Sequence, residues 1–421
     1  MSGLLKWLTF MCALSGVFSI TSVRDDASWF KNGNRLKDKF VTGVVNGIFD
    51  TNCDELHNGT SLHGECMSKV ECVKRKGKVG SPCSLLGVCC LIEKTCTEAT
   101  SAKLSYFVTP TVFQKDCPLT VKIANKDVCQ LRLDFEEFDI AQPTSTPEGD
   151  PVAYTSYRCL TDAFKVEQTP RSLGFSSLCG KNKGQHIYIP VGERQDTVVL
   201  RFNLQTRDAN DNLQDPKWKI KIRQLECQKG LQNQHLNAPS KLMALYHSLK
   251  NKKHHHKSDY ELIAPPNCLQ YHPEKTGVVE SFNYNNGKGS YIGPMDYAIC
   301  FRKLDSCGVR YTSESPFQMN FNAYQAGMPP DDKCHPKAPA SRDVSQDYLI
   351  IPGGVNAGNE FQDYYCNTDF NPQSNTASAK SLKPLYLGVH TDQYRVMGAG
   401  NVDDFKEVGF RLRYEVESVN C

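Results

Sequence analysis

At 421 residues, with 39% hydrophobic residues, 18 Tyr and 20 Phe, the chain is too long for one ordinary core and too apolar to be disordered throughout. Two or three domains are the expectation. A formal net charge of +3 is small for this length and gives no general argument for binding nucleic acid.

The first element in chain order is a secretory signal peptide over residues 1–22. Lys6 precedes an apolar run from Trp7 to Phe18, and small residues follow at Ser19, Thr21 and Ser22. A basic start, a short apolar stretch and small residues near a cut define such a segment. The run falls short of the roughly 20 apolar residues that a membrane anchor needs. No later stretch of the sequence is apolar for long enough to span a bilayer, so a secreted, extracellular protein is expected. Cysteine usage agrees. Of 19 Cys, Cys12 lies inside the signal peptide, and the remaining 18 are even in number, as an oxidised chain requires. Zinc is the competing use of dense cysteine, but the spacings lack a repeated C-x-x-C pair.

Residues 23–52 read as a polar lead-in with some apolar character from Phe40 to Phe49. A cysteine-rich module follows over 53–92, with Cys53, Cys66, Cys72, Cys83, Cys89 and Cys90 punctuated by Gly59, Gly64, Gly77, Gly80 and Gly87. A unit this small buries too little apolar surface to stand alone, and three disulfides, in a connectivity that the sequence leaves open, would supply the missing constraint. Asn58-Gly59-Thr60 is the only glycosylation sequon, which puts Asn58 on an expected surface loop.

The rest divides into two halves, 93–228 and 267–421, that repeat a six-cysteine order. The first set is Cys96, Cys117, Cys129, Cys159, Cys179 and Cys227; the second is Cys268, Cys300, Cys307, Cys334, Cys366 and Cys421. Both halves alternate with period two. Leu131, Leu133 and Phe135 alternate, as do Val198, Leu200, Phe202 and Leu204, then Trp218, Ile220 and Ile222. The second half repeats this at Leu385, Leu387 and Val389, and at Phe410, Leu412, Tyr414 and Val416. Such runs mark half-buried antiparallel strands, so the predicted fold class is all-β, with two antiparallel β-sandwiches after the small module. Between the halves, residues 229–266 form a basic, histidine-rich linker with Lys241, Lys250, Lys252, Lys253, Lys257 and His254-His255-His256, closed by Pro265-Pro266. Ser240 could cap a short helix carrying Leu242, Leu245 and Leu249.

Several of these segments resemble a known family. Cys117-Pro-Leu-Thr-Val-Lys-Ile, Gln130-Leu-Arg-Leu-Asp-Phe-Glu-Glu-Phe-Asp-Ile, Cys159-Leu-Thr-Asp162-Ala-Phe and Leu178-Cys179-Gly180 are similar to strands of the CUB module of complement proteases and spermadhesins. In the second half, Gln346-Asp347-Tyr348-Leu349-Ile350 and Gly409-Phe410-Arg411-Leu412-Arg413-Tyr414 resemble later CUB strands. The cysteine-rich module resembles the clip-like segment that precedes CUB modules in secreted arthropod proteins. The chain departs from the family where the usual tryptophan after the second cysteine is Leu119, and Arg302 in the repeat. The resemblance implies pairing of Cys96 with Cys117, Cys159 with Cys179 and Cys129 with Cys227, and the same scheme again in the second half.

The family's calcium site rests on three acidic side chains. The positions that match it are Ala141, Asp162 and Leu204 in the first half, which leaves a single carboxylate and implies no site there. In the second half they are Asn320, Asp347 and Asp392, which implies a calcium site of reduced charge, since an amide oxygen can ligate in place of a carboxylate. The His/Lys linker is open to three readings: a solvated spacer, a contact for sulfated glycans or an acidic surface, or a transition-metal site. No G-x-S-x-G, H-E-x-x-H or G-x-x-x-x-G-K-[ST] motif occurs, and bridged cysteines leave no thiolate nucleophile. The sequence therefore points to a non-enzymatic binding protein that takes an extracellular protein or glycan partner, with no nucleic acid and no membrane span. The alternative is a structural matrix or surface protein, and heparin retention that depends on residues 241–257 would favour it.

Overall fold

The computed structural model describes residues 52–57, 60–84, 87–146, 153–207, 213–227, 259–303, 306–313, 317–319, 321–322, 345–355, 361–366, 370, 376–379, 385–396 and 407–418. The expected signal peptide, nearly all of the lead-in, Asn58 and the His/Lys stretch lie outside them. Among the described residues, helix is confined to one six-residue segment and two short 3-10 turns. The regular structure is otherwise strand, which makes the protein all-β.

The cysteine-rich module is a four-stranded antiparallel sheet of β1 (Asn52–His57), β2 (Thr60–Met67), β3 (Lys78–Pro82) and β4 (Val88–Leu91), in the order β1-β2-β4-β3, with helix α1 (Lys69–Lys74) between β2 and β3. Disulfides join Cys53 to Cys89, Cys66 to Cys83 and Cys72 to Cys90. Packing here is tight enough that Gly77 admits no side chain: a Cβ would come within 2.3 Å of Cys90 Sγ and 3.0 Å of Cys72 Sγ. The module is fixed to the first sandwich by Tyr106, whose hydroxyl donates to the His63 carbonyl at 2.9 Å and accepts from its N–H at 3.0 Å.

The first sandwich is built from β5 (Glu93–Lys94), β6 (Ala99–Thr100), β7 (Leu104–Val108), β8 (Asp116–Lys122), β9 (Val128–Asp139), β10 (Ala153–Thr155), β11 (Ala163–Glu167), β12 (His186–Pro190), β13 (Thr197–Asn203) and β14 (Lys217–Glu226). Its sheets run β12-β9-β14-β7-β5 and β11-β13-β8-β6. The alternating residues face inward, as their spacing demands: Leu131, Leu133, Phe135, Val198, Leu200, Phe202, Trp218, Ile220 and Ile222 are all buried. Across the gap Phe202 stacks on Trp218 at 4.0 Å between centroids. Each such burial contributes about 1.5–3 kcal/mol.

The second sandwich comprises β15 (Cys268–His272), β16 (Thr276–Glu280), β17 (Met295–Phe301), β18 (Gly308–Ser313), β19 (Phe321–Asn322), β20 (Ser345–Gln346), β21 (Tyr348–Ile350), β22 (Gly354–Val355), β23 (Tyr364–Tyr365), β24 (Thr376–Ala379), β25 (Tyr386–Thr391), β26 (Tyr394–Val396) and β27 (Arg411–Glu417). Its sheets run β15-β17-β25-β21-β23 and β16-β27-β18-β24-β22. The topology repeats that of the first. In each sandwich a leading strand lies parallel to its neighbour (β6 on β8, β15 on β17), and two antiparallel strands follow (β13 and β11, β25 and β21). In each opposite sheet the last long strand is flanked on both sides: β14 sits between β7 and β9, and β27 between β16 and β18.

Disulfides in this part join Cys96 to Cys117, Cys129 to Cys227, Cys159 to Cys179 and Cys268 to Cys300. Cys307 and Cys366 are also disulfide-bonded, while Cys334 and Cys421 lie outside the described residues. The two sandwiches share one hydrophobic core and are sewn together by polar contacts. β10 pairs with β26. The Gln185 amide donates to the Ser281 carbonyl at 3.0 Å, and the Asn283 N–H donates to Asn182 Oδ1 at 2.8 Å. The end of the sequence-predicted linker is part of this seam. Lys103 pairs with Asp259 at 2.8 Å, and Gln130 and Ala264 exchange hydrogen bonds at 2.8 and 3.0 Å.

Candidate functional site

The duplicated topology puts an aspartate at the same place in both sandwiches. Asp162 immediately precedes β11 and Asp347 immediately precedes β21, each on the strand beside the one that ends at Asn203 or Thr391. Both are buried. A buried carboxylate must find compensation for its lost hydration, and the two sandwiches find it differently.

In the first sandwich the compensation is a guanidinium. Arg207 Nη1 donates to Asp162 Oδ1 at 3.0 Å, and its Nη2 donates to Oδ2. The backbone N–H groups of Ala141 and Gln205 donate to the same carboxylate at 2.9 and 3.1 Å. Arg207 is itself held by the carbonyls of Gln205 at 2.7 Å and Gln214 at 3.0 Å, and lies 5.9 Å from the centre of the Phe113 ring. Of the residues matched to the calcium pattern, Ala141 thus contributes its backbone. Leu204 contributes nothing to the carboxylate: its side chain is buried in the core and its N–H donates to the Lys115 carbonyl at 2.7 Å. Arg207, which occupies the cation's side of Asp162, has no signature in the sequence.

In the second sandwich the neighbours are acids. Tyr291 hydroxyl donates to Asp347 Oδ2 at 2.6 Å and the Asp392 N–H donates to Oδ1 at 2.7 Å. The structure therefore brings Asp347 and Asp392 together, and Asn320 lies outside the described residues. Burial, then the negative charges of Asp392 and Glu407, hold the Asp347 carboxyl well above the usual carboxylate range. Glu407 is buried and its carbonyl accepts from the Tyr291 N–H at 2.8 Å. Neither Tyr291 nor Glu407 belongs to the sequence pattern. The chemistry of these donors, hard oxygens in a buried and acidic place, suits calcium. Among the described residues, however, no group of three or more His, Cys, Asp or Glu side chains has a geometry that could hold a metal. The site also abuts the first sandwich: a Cβ on Gly293 would lie 2.5 Å from the Asp392 carbonyl and 2.8 Å from Ser156.

Two stapled, topologically duplicated antiparallel sandwiches behind a small cysteine-rich sheet define a modular all-β protein. Residues 265–417 match the family model described as the Animal CUB domain, so the second sandwich is of CUB type. No curated protein matches the chain. Among solved structures, the CUB1-EGF-CUB2 domains of rat MASP-1 are 13% identical, covering 76% of this chain and 99% of that one at a TM-score of 0.22. The equivalent domains of human MASP-1/3 are 12% identical, covering 75% and 99%, also at 0.22. The MASP-1 CUB2 domain bound to Ca2+ is 14% identical and covers 30% of this chain and 98% of that one, again at 0.22. Among the described residues no helix is long and apolar enough to cross a membrane.

Proposed function

We propose that the protein is a secreted, non-enzymatic binding protein that docks an extracellular protein or glycan through loops at one end of its first sandwich. CUB domains commonly serve as protein-binding modules in extracellular proteins, and the match over 265–417 supports that class. The many disulfides support an oxidising, extracellular location. The observation that carries the reading is the apolar surface around the Arg207–Asp162 pair. Val112 is 72% exposed, Leu160 59% and Phe113 40%. Phe113 packs on Arg207, and Leu160 lies two residues before Asp162, so three loops meet at one buried ion pair. Loops held still by a rigid sandwich are where binding residues concentrate. At the matching end of the second sandwich, Gly293 and Gln393 hydrogen-bond Tyr157 and Ser156 of the first sandwich instead.

Calcium belongs to the second sandwich in this reading, held by Asp347 and Asp392 with Asn320, beside the seam that joins the two sandwiches. It would neutralise the acids there and stiffen the junction.

The test is a pull-down from the source body fluid with the full chain and with Val112→Ser/Phe113→Ser/Leu160→Ser. A partner held by the native chain and lost from the variant is the expected result; equal capture by both refutes the assignment of these loops. Val112→Ser and Leu160→Ser are at exposed positions and should change stability by less than about 0.5 kcal/mol each, and an unchanged unfolding midpoint checks that Phe113→Ser, which takes the ring away from Arg207, is tolerated.

A further inference from the structure

The cysteine-rich module carries a second surface, on the face of α1 that turns away from its disulfides. At six residues α1 is too short to persist alone. Three things hold it. Cys72, its buried residue, is bonded to Cys90. Ser68 Oγ accepts from the Glu71 N–H at 3.2 Å. Arg75 closes the other end, donating to Glu71 at 2.8 Å and pairing with Glu65 at 3.6 Å. The Lys94 ammonium donates to the Arg75 carbonyl at 3.2 Å and ties this end to the first sandwich.

On the outer face Val70 is 78% and Val73 60% exposed, and three residues apart on a helix they lie side by side. Val79, on the strand β3 that follows α1 and packs against it, is 40% exposed. Lys69, Lys74 and Lys76 are exposed among them. From residue 69 to 79 the chain has five basic residues and one acid, Glu71, which is engaged by Arg75. A single exposed valine needs no explanation. Two side by side on one helix, with a third exposed valine on the adjoining strand and exposed lysines between them in sequence, on a disulfide-fixed frame, are a surface of the sort that marks interaction sites.

We propose that this α1–β3 face docks an acidic protein segment that carries aliphatic or aromatic side chains between its carboxylates. The lysines select negative charge. The valines select a polypeptide over a sulfated glycan, which would answer the lysines but offer no apolar surface to Val70 and Val73. Because the face is already rigid, binding costs little ordering on this side. The site is remote in sequence and module from the loops around Asp162, so either assignment can fail without the other.

The probe is a phage library of random linear dodecapeptides panned on the intact chain. Enriched peptides should combine Asp or Glu with Leu or Phe, and synthetic copies should bind Val70→Ser/Val73→Ser and Lys69→Glu/Lys74→Glu about tenfold more weakly. Disulfide mapping of both variants, with all three module bridges intact, shows that the fold is retained. The proposal fails if no peptide is enriched on the native chain over the variants, or if enriched peptides bind the valine variant undiminished. Immobilised heparin retaining the native and valine variants alike, with no peptide enriched, would assign the face to sulfated glycans instead.

Discussion

Asp162 and Asp347 occupy one position in a duplicated topology, yet one lies against a cation and the other among acids. The Asp162 carboxylate is closed by a guanidinium and two backbone N–H groups, all supplied by the chain. Asp347 accepts from the Tyr291 phenol and the Asp392 N–H, and burial, with the charges of Asp392 and Glu407, holds its carboxyl above the usual carboxylate range. A buried carboxylate can be stabilised by the protein's own cation or can be left to share protons or ions with its surroundings. The first solution is permanent and leaves the nearby loops free to carry other surface. The second would couple the loops to solution conditions, and Asp347 lies beside the seam between the sandwiches.

Removing the internal cation should have the greatest consequence. Arg207→Ala leaves Asp162 buried without its charge partner and should cost about 3–5 kcal/mol, read as a fall in the unfolding midpoint. Added calcium should not restore it, because the residues matched to the other two ligand positions are Ala141 and Leu204. Recovery of stability on adding calcium to Arg207→Ala would show that the first sandwich keeps a latent site and that the two positions are not chemically distinct.

The second sandwich should respond in the opposite sense. Calcium at a hundredfold excess over its dissociation constant should raise the stability of the native chain by about 2.7 kcal/mol, and a chelator should reverse the gain. Asp347→Asn/Asp392→Asn should abolish the response. An unchanged melting temperature with calcium and with chelator would remove calcium from the account.

The fold class was legible because alternation encodes which face of a strand is buried. Leu131, Leu133 and Phe135 on β9, and Phe410, Leu412 and Tyr414 at β27, are buried as their period required. The CUB likeness was legible for the same reason, since its motifs are mostly inward-facing strand residues. The site was legible only in part. Asp347 and Asp392 stand in the family pattern, but Tyr291 reaches Asp347 across 56 residues and Arg207 reaches Asp162 across 45. Contacts of that span follow from topology, and no local motif announces them. The seam between the sandwiches was hidden too. It is made by Gln130, Gln185, Asn182 and Asn283, polar residues whose hydrogen-bond partners are backbone and side-chain groups in another lobe. Nothing in their own spacing distinguishes them from surface residues.

That seam also carries a mild pH dependence. His186 on β12 is buried, with Nε2 3.0 Å from the Tyr271 carbonyl oxygen and 3.1 Å from its backbone nitrogen. Its ring lies 4.8 Å from that of His272 on β15, 5.6 Å from that of Tyr188 and near Arg132 on β9, which is paired with Asp134. Phe301 and Tyr414 also pack on His272. Burial first, then the Arg132 charge, pulls both imidazoles below their ordinary value, His272 to about 4. With folded values depressed, the unfolded chain takes up protons that the folded one refuses. Stability is therefore full above about pH 7 and declines as pH falls from there toward about 4, where His272 begins to charge in place. One unit below the unfolded value the loss should be roughly 1 kcal/mol per histidine. Melting temperatures from pH 7.5 to 5.5 should fall for the native chain and flatten for His186→Gln/His272→Gln, in the same window and without calcium. An equal slope in the double variant would show that the acid sensitivity arises elsewhere, and that the seam, unlike the Asp347 end it borders, is indifferent to protons.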